Sequence, residues 1–437
     1  MIPPGLIIAA PRSGGGKTVV TMALLRHLHR LGTSVVAAKV GPDYIDAAFH
    51  GAAAGRPCLS LDPWAMRPET LAGVTATLHE DSDLVIVEGV MGLFDGARDG
   101  TGSTADLAAL SGWPVVLVVD GSGMGASAGA LLSGFLGFRS DVDVAGVIFN
   151  RVGSDIHRQL LQAGADKAGV KVLGMVPVNN RLHLPHRHLG LIQAGEHNAL
   201  DEFLDRAAHY VARHSAIDEV IALARPDRFD SSEEIPPPVP PLGQHIAIAQ
   251  DEAFSFAYPA WFSAWSAEGA ILSFFSPLGD EAPSEQADAI FLPGGYPELY
   301  GGRLAGAAQF LKGLCQAARR GAFIYGECGG YMALGEGLEE PNGQRHAMAG
   351  LLPVSFKFQT DRQVLGYRHV SLAEPCPLGA YETLFRAHEF HYAIAEGERG
   401  ASSLFYTKPC GESSPPQATG CKRERVAGSF LHLIDRA

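Results

Sequence analysis

Residues 6–20 read LIIAAPRSGGGKTVV: an apolar run, a glycine-rich loop, and the start of an apolar-periodic segment. Strand, loop and helix in that order are what a phosphate-binding loop requires. Gly14, Gly15 and Gly16 let backbone N–H groups converge on phosphate oxygens, and the helix that follows adds its positive end. Lys17 then reaches the outer phosphates of a nucleotide, and Thr18 offers a hydroxyl ligand to Mg²⁺. Two positions depart from the strict pattern: Pro11 replaces a glycine, and Arg12 replaces a small residue. The bland alternative is a glycine-rich turn. Arg12 itself is either a phosphate contact or a solvated side chain.

Downstream, the helical segment TVVTMALLRHLHRLG (18–32) is followed by the apolar runs SVVAAKV (34–40), DLVIVEG (83–89), PVVLVVDG (114–121) and VAGVIFNR (144–151). Such β/α alternation predicts a largely parallel sheet covered by helices. Ligands of such sheets bind at the carboxyl ends of the strands. KVGPDYID puts Asp43, Tyr44 and Asp46 at one such end, and VIVEGVMGLFDG puts Glu88 and Asp95 at another. Carboxylates there suit Mg²⁺, a hard cation that takes oxygen ligands. Each acid taken alone also reads as a helix cap. Ser103 or Thr104 reads as a cap for the segment after it. Asn150 and Arg151 are polar enough to meet an adenine ring or a phosphate, or to form a surface turn.

Residues 225–243, RPDRFDSSEEIPPPVPPLG, carry proline, serine and acids without apolar periodicity, the composition of a semi-extended linker. This divides the chain into domains 1–224 and 244–437. In the second, HIAIAQ, DAIFLPGG and AFIYGECGG are further strand candidates. Cys328 ends the third and precedes two glycines, so a tight turn lifts its side chain out of the sheet. A helix N-terminus after it is expected to lower the thiol pKa. The backbone N–H groups of Gly294 and Gly295 are positioned for an oxyanion hole. The strand-like run VAGSFLHLID brings His432 as general base, with His388 and His391 of FRAHEFHY competing. A buried, inert cysteine is the alternative.

The chain has 437 residues, 46% hydrophobic and 19% charged, enough for two or three domains with cores of their own. A formal net charge of -13 argues against nucleic acid as a partner. No apolar run approaches the roughly 18 residues that span a bilayer, and the N-terminus lacks the basic segment of a secretory signal, so a cytoplasmic enzyme with no membrane partner is expected. Six dispersed cysteines without a CxxC pair point to neither a disulfide framework nor a zinc knuckle. RLHLPHRHLGL (181–191) gathers Arg181, His183, His186, Arg187 and His188 in this acidic background. It reads as a contact for an anionic substrate, as a solvated loop, or, without helical spacing or carboxylates, least well as a metal site.

APRSGGGKT, KVGPDYID, VEGVMGLFDG, RHLGL, LPGGYPELY, YGECGGYM, EFHY and GSFLHL, in this order, resemble the a,c-diamide synthases of corrinoid biosynthesis over nearly the whole chain. The resemblance implies an α/β protein: an N-terminal P-loop, parallel-sheet amido-ligase domain similar in fold to dethiobiotin synthetase, and a C-terminal flavodoxin-like class I glutaminase domain. It implies ATP as co-substrate with Mg²⁺, glutamine as nitrogen donor, and a carboxylate-bearing tetrapyrrole macrocycle, hydrogenobyrinic or cobyrinic acid, as acceptor. A homodimer is one assembly open to it.

By the same resemblance Thr18, Asp43 and Glu88 hold the metal, Asp46 and Asp95 serve phosphoryl transfer, and Tyr44, Arg187 and His188 face the macrocycle. Cys328 and His432 would liberate ammonia. Cobyric acid synthase and nickel-sirohydrochlorin a,c-diamide synthase are related alternatives, and a partitioning P-loop ATPase would explain the first half alone. Class I glutaminases carry Glu two residues after the catalytic histidine; here Leu433 and Ile434 follow and the first acid is Asp435. A cysteine and histidine dyad is therefore expected. Arg187→Ala is expected to raise the KM for the macrocycle much more than that for ATP; an unchanged macrocycle KM returns the basic run to a solvated loop.

Overall fold

The computed structural model describes residues 2–182, 184, 186–187, 190–191, 193–197, 199–230, 237–340, 342–359, 363–397 and 400–437, with 186–187 and 190–191 as backbone only. The chain forms two compact units, one of residues 1–64 and 71–234, the other of 65–70 and 235–437.

In the first unit, strands β1 (Gly5–Ala9), β2 (Val35–Val40), β3 (Leu59–Leu61), β4 (Leu84–Glu88), β5 (Val115–Asp120), β6 (Val144–Val152) and β7 (Val172–Pro177) form one sheet in the order β3-β2-β4-β1-β5-β6-β7. Every pair is parallel, as the β/α alternation predicts. Helices α1 (Lys17–Arg30), α2 (Tyr44–Ala54), α3 (Pro68–His79), α4 (Thr104–Ser111), α5 (Ala128–Gly137), α6 (Asp155–Ala168), α7 (Leu200–Ala212) and α8 (Ile217–Ile221) make the connections or follow the last strand. Val20, Leu24 and Leu28 recur every four residues on α1 and join Leu6, Ile8, Val116, Val118, Phe203, Leu204 and Val211 in one core. Full burial of each such side chain stabilises by about 1.5–3 kcal/mol. The register sets Ile8 and Lys39 opposite Glu88, so the loop after β1 and the ends of β2 and β4 share one sheet edge. The basic run contains a two-stranded antiparallel pair, β8 (His186–Arg187) and β9 (Gly190–Leu191).

The second unit holds a six-stranded sheet of β10 (His245–Ala249), β11 (Ile271–Phe275), β12 (Ala289–Leu292), β13 (Phe323–Glu327), β22 (Cys421–Arg423) and β23 (Val426–Ser429), ordered β11-β10-β12-β13-β23-β22. Its first five strands are parallel and, in order of appearance, run 2-1-3-4-5, the flavodoxin order. Helices α9 (Pro259–Ala267), α10 (Gly301–Gly306), α11 (Ala308–Arg320) and α12 (Gly329–Leu334) accompany it.

Two further sheets are not announced by the motifs. β14 (Gly337–Glu339), β15 (Arg345–Ala347), β16 (Ser355–Phe358) and β19 (Ala393–Glu396) form one. β17 (Val364–Leu372), β18 (Leu384–His391), β20 (Phe405–Pro409), β21 (Gln417–Thr419) and β24 (Leu431–Arg436) form the other, which is antiparallel throughout. The run VAGSFLHLID is therefore two strands, not one. The chain leaves β23 at Ser429, turns through Phe430, and enters a different sheet as β24.

α12 lies so close to β12 that a Cβ on Gly330 would stand 1.9 Å from the Leu292 carbonyl oxygen. That neighbour is backbone and cannot rotate away. Gly330→Ala is expected to destabilise the protein by roughly 1–3 kcal/mol through overpacking, read as a lower thermal midpoint; an unchanged midpoint means that the helix shifts freely.

Candidate functional site

At the sheet edge of the first unit, Gly16 caps α1 in the left-handed region, φ 91°. A side chain there would be strained and its Cβ would collide with Asn150, whose Nδ2 donates to Gly15 O at 3.1 Å. Asn150 thus holds the loop itself. Thr18 Oγ1 donates to Glu88 Oε1 at 2.8 Å and lies 3.3 Å from Asp46 Oδ2. Lys17 Nζ is 3.6 Å from Glu88 Oε1, and His50 Nε2 contacts the other Glu88 oxygen. Lys39 Nζ donates to Gly89 O at 2.8 Å and lies 3.7 Å from Asp46 Oδ2. Thr18, Asp46 and Glu88 therefore converge on one point, an all-oxygen donor set of the kind Mg²⁺ takes.

The other candidates take separate places. Asp43 caps α2, its Oδ1 accepting from Ile45 N at 3.1 Å and Asp46 N at 3.0 Å. Tyr44 is the first residue of that helix. Asp95 Oδ2 accepts from Gly92 N at 2.9 Å, and Leu93 N donates to Ala10 O at 2.8 Å, tying the Asp95 loop to the phosphate loop. Ser103 and Asp106 form a capping box on α4, as the cap reading holds. Arg12 is exposed, 3.5 Å from Asp120. His188 lies outside the described residues, as does the side chain of Arg187.

Burial would raise the Glu88 carboxyl, yet Lys39, His50 and Lys17 outweigh it and hold the group below its ordinary range. Asp46 goes the other way, pushed well above that range by burial and by Asp43 and Glu88. The two neighbouring carboxyls are thus driven in opposite directions.

In the second unit Cys328 stands between β13 and α12 with φ 47° and ψ -103°, a strained turn of the nucleophile-elbow kind. Cys328 N donates to Ser429 O at 2.8 Å, and Sγ points to Phe390 O at 3.7 Å. Gly294 faces His432: a Cβ on it would lie 2.3 Å from the imidazole Cε1, so only glycine lets the ring sit there. Gly295 N is 3.0 Å from where a Cβ on Gly329 would be, beside the nucleophile turn. The Gly294 and Gly295 turn, Cys328 and His432 are thereby brought together.

Of the competing histidines, His391 is engaged at both nitrogens, Nδ1 at 2.7 Å from Ala393 O and Nε2 at 3.0 Å from Glu389 Oε1. His388 lies directly across the β18 and β24 ladder from His432. Burial, reinforced by His388 and His391, brings His432 down to about 3, and burial with Arg368 brings His388 down to about 3. His432 is a neutral imidazole, as a general base must be.

The thiol departs from expectation. Burial, followed by the charge of Glu298, pushes Cys328 up, and the Gly329 N–H opposes this too weakly to reverse it. Cys328 rests as a thiol and depends on its base. Asp435, fully buried, is committed elsewhere: Arg67 donates to it from Nη2 at 2.8 Å and from its backbone N at 2.8 Å.

Four site residues went unread in the sequence. Lys39 and Glu327 are charges ending or interrupting apolar strands, VVAAKV and FIYGE, where a buried charge needs a partner or a task. His50 follows Asp46 by four residues on α2 and so shares its face. Glu298, in a single-turn helix after the Gly294 turn, carries no such trace.

Residues 6–192 match the CobQ/CobB/MinD/ParA nucleotide binding domain, and residues 245–436 the CobB/CobQ-like glutamine amidotransferase domain. The chain is 48% identical over 433 residues to the hydrogenobyrinate a,c-diamide synthase of Brucella anthropi, covering 99% of this chain and 98% of that one. It is 48% identical over 435 residues to the enzyme of that name from Rhizobium meliloti, covering 99% of each. With that of Brucella abortus it shares 49% identity over 433 residues, covering 99% of this chain and 98% of that one.

Glu298 is buried and among the described residues its Oε2 has no hydrogen-bond partner, so burial pushes the carboxyl from 4.5 up to about 7. Between those values the folded protein keeps a proton that the unfolded chain has released. The stabilisation is complete below pH 4.5 and lost as pH rises through about 7. Glu298→Gln is expected to flatten the fall of the thermal midpoint across that interval; an unaltered slope means Glu298 titrates normally.

Proposed function

This chain belongs to the hydrogenobyrinate a,c-diamide synthase family, and from that premise we propose that it converts the a and c acetate carboxylates of hydrogenobyrinic acid to amides in the cytoplasm, using ATP and glutamine. One observation carries the reading. A single chain holds both a phosphate loop facing converged oxygen ligands and a strained cysteine beside a buried neutral histidine.

A carboxylate is a poor electrophile. Transfer of the γ-phosphoryl group of ATP to the acetate oxygen gives an acyl phosphate and ADP, and ammonia then displaces phosphate to leave the amide. Backbone N–H groups of residues 14–16, Lys17 and the positive end of α1 bind and orient the phosphates. Thr18, Asp46 and Glu88 would hold Mg²⁺, with Asp43 beside them, and the ion when bound neutralises charge on the transferring phosphate. Lys39 keeps the carboxylate cluster from repelling its own phosphates. Asp95, on the loop tied to the phosphate loop, serves the transfer step, and Tyr44, Arg187 and His188 are the residues assigned to binding the macrocycle.

In the second unit His432 takes the thiol proton as Cys328 attacks the side-chain amide of glutamine, and the N–H groups of Gly294 and Gly295 receive the oxyanion. His432 returns the proton to the leaving ammonia, and water hydrolyses the thioester to glutamate. Cys328→Ser is expected to lose glutamine-dependent product and keep turnover with an ammonium salt, whereas Asp46→Asn loses both; mass spectrometry of the macrocycle counts the added amides. Equal loss with both nitrogen sources in Cys328→Ser overturns the two-site scheme.

A further inference from the structure

Glu327 stands directly before the nucleophile, yet nothing in the cysteine and histidine chemistry calls for it. It is 1% exposed. Its Oε1 accepts from Leu433 N at 3.1 Å and from Tyr325 Oη at 3.1 Å, while its Oε2 lies 3.9 Å from His432 Nδ1. One carboxyl therefore links the strand that delivers the nucleophile, β13, to the strand that delivers the base, β24. The bond to Leu433 fixes that strand one residue beyond the imidazole.

The orienting acid of a class I glutaminase is missing from its usual place. Ile434 stands two residues after His432, and Asp435 is bound by Arg67. A carboxylate is nevertheless present at the Nδ1 edge of the ring, supplied by the other strand.

We propose that Glu327 is the positioning residue of the glutaminase site, setting the His432 ring through β24 and facing Nδ1 so that Nε2 is the nitrogen that takes the thiol proton. The proposal rests on reading this unit as a glutaminase. Burial pushes the carboxyl up to about 8 and the imidazole down to about 3, so the working form is the one in which Glu327 has released its proton to solvent and Nδ1 keeps its own. The carboxylate then neutralises the imidazolium formed as Nε2 takes the thiol proton, which is the service an orienting acid performs.

The test uses the full-length protein. Glu327→Gln keeps an oxygen to accept from Leu433 and Tyr325 but cannot carry charge. Its glutamine-dependent kcat is expected to fall about 10²-fold, at the low end of what a positioned acid–base partner contributes, with the KM for glutamine unchanged. Alkylation of Cys328 by iodoacetamide should slow in parallel, while turnover with ammonium salt stays at the parental level. Tyr325→Phe removes one hydrogen bond from the same carboxyl and leaves its charge, and should keep kcat close to the parent. Parental kcat and alkylation in Glu327→Gln overturn the proposal, and so does an equal loss in Tyr325→Phe, which would mark the network as structural only. If Cys328→Ser itself keeps glutamine-dependent turnover, the glutaminase reading falls, whatever Glu327 does.

Discussion

Glu88 is fully buried, and a carboxylate removed from water without partners costs several kcal/mol. Its neighbours are what that burial demands: Thr18, Lys17 and His50 at its oxygens, with Lys39 supplying further opposite charge. These four residues come from three elements, the start of α1, the end of β2 and the body of α2. The electrostatic requirement of one side chain thereby draws three chain segments to one edge of the sheet. Parallel pairing makes this possible, because strands running the same way bring their carboxyl ends to the same side.

The second unit buries acids under the opposite regime. Glu298 and Glu327 lie among apolar and neutral groups, and burial raises both. Burial thus holds a thiol, an imidazole and two carboxyls of the second unit away from their charged forms, whereas the first unit holds Glu88 as an anion.

What the sequence revealed follows from the range of the forces involved. The phosphate loop, the parallel sheet and the cysteine turn are local patterns, and APRSGGGKT or FIYGECGG contain nearly all that determines them. Thr18, Asp46 and Glu88 were each named because strand ends in a parallel sheet are predictable meeting points, but the expected metal set held Asp43, which caps α2, where the converging group holds Asp46. Glu327 was not, since its meaning depends on β24, over 100 residues later in the chain. The antiparallel sheets were hidden for a different reason: strands such as β17 and β18, although consecutive in the chain, carry polar and aromatic residues without clean alternation. The split of VAGSFLHLID at Phe430 is a tertiary event with no breaker residue to announce it.

Residues 65–70 fold with the second unit although they precede most of the first. Arg67, within that excursion, is the guanidinium that compensates the buried Asp435. A fragment begun at the proline-rich stretch would therefore inherit an orphaned anion three residues from His432. The two activities are modular in chemistry but interleaved in chain, so a cut that isolates the second must carry residues 65–70 with it.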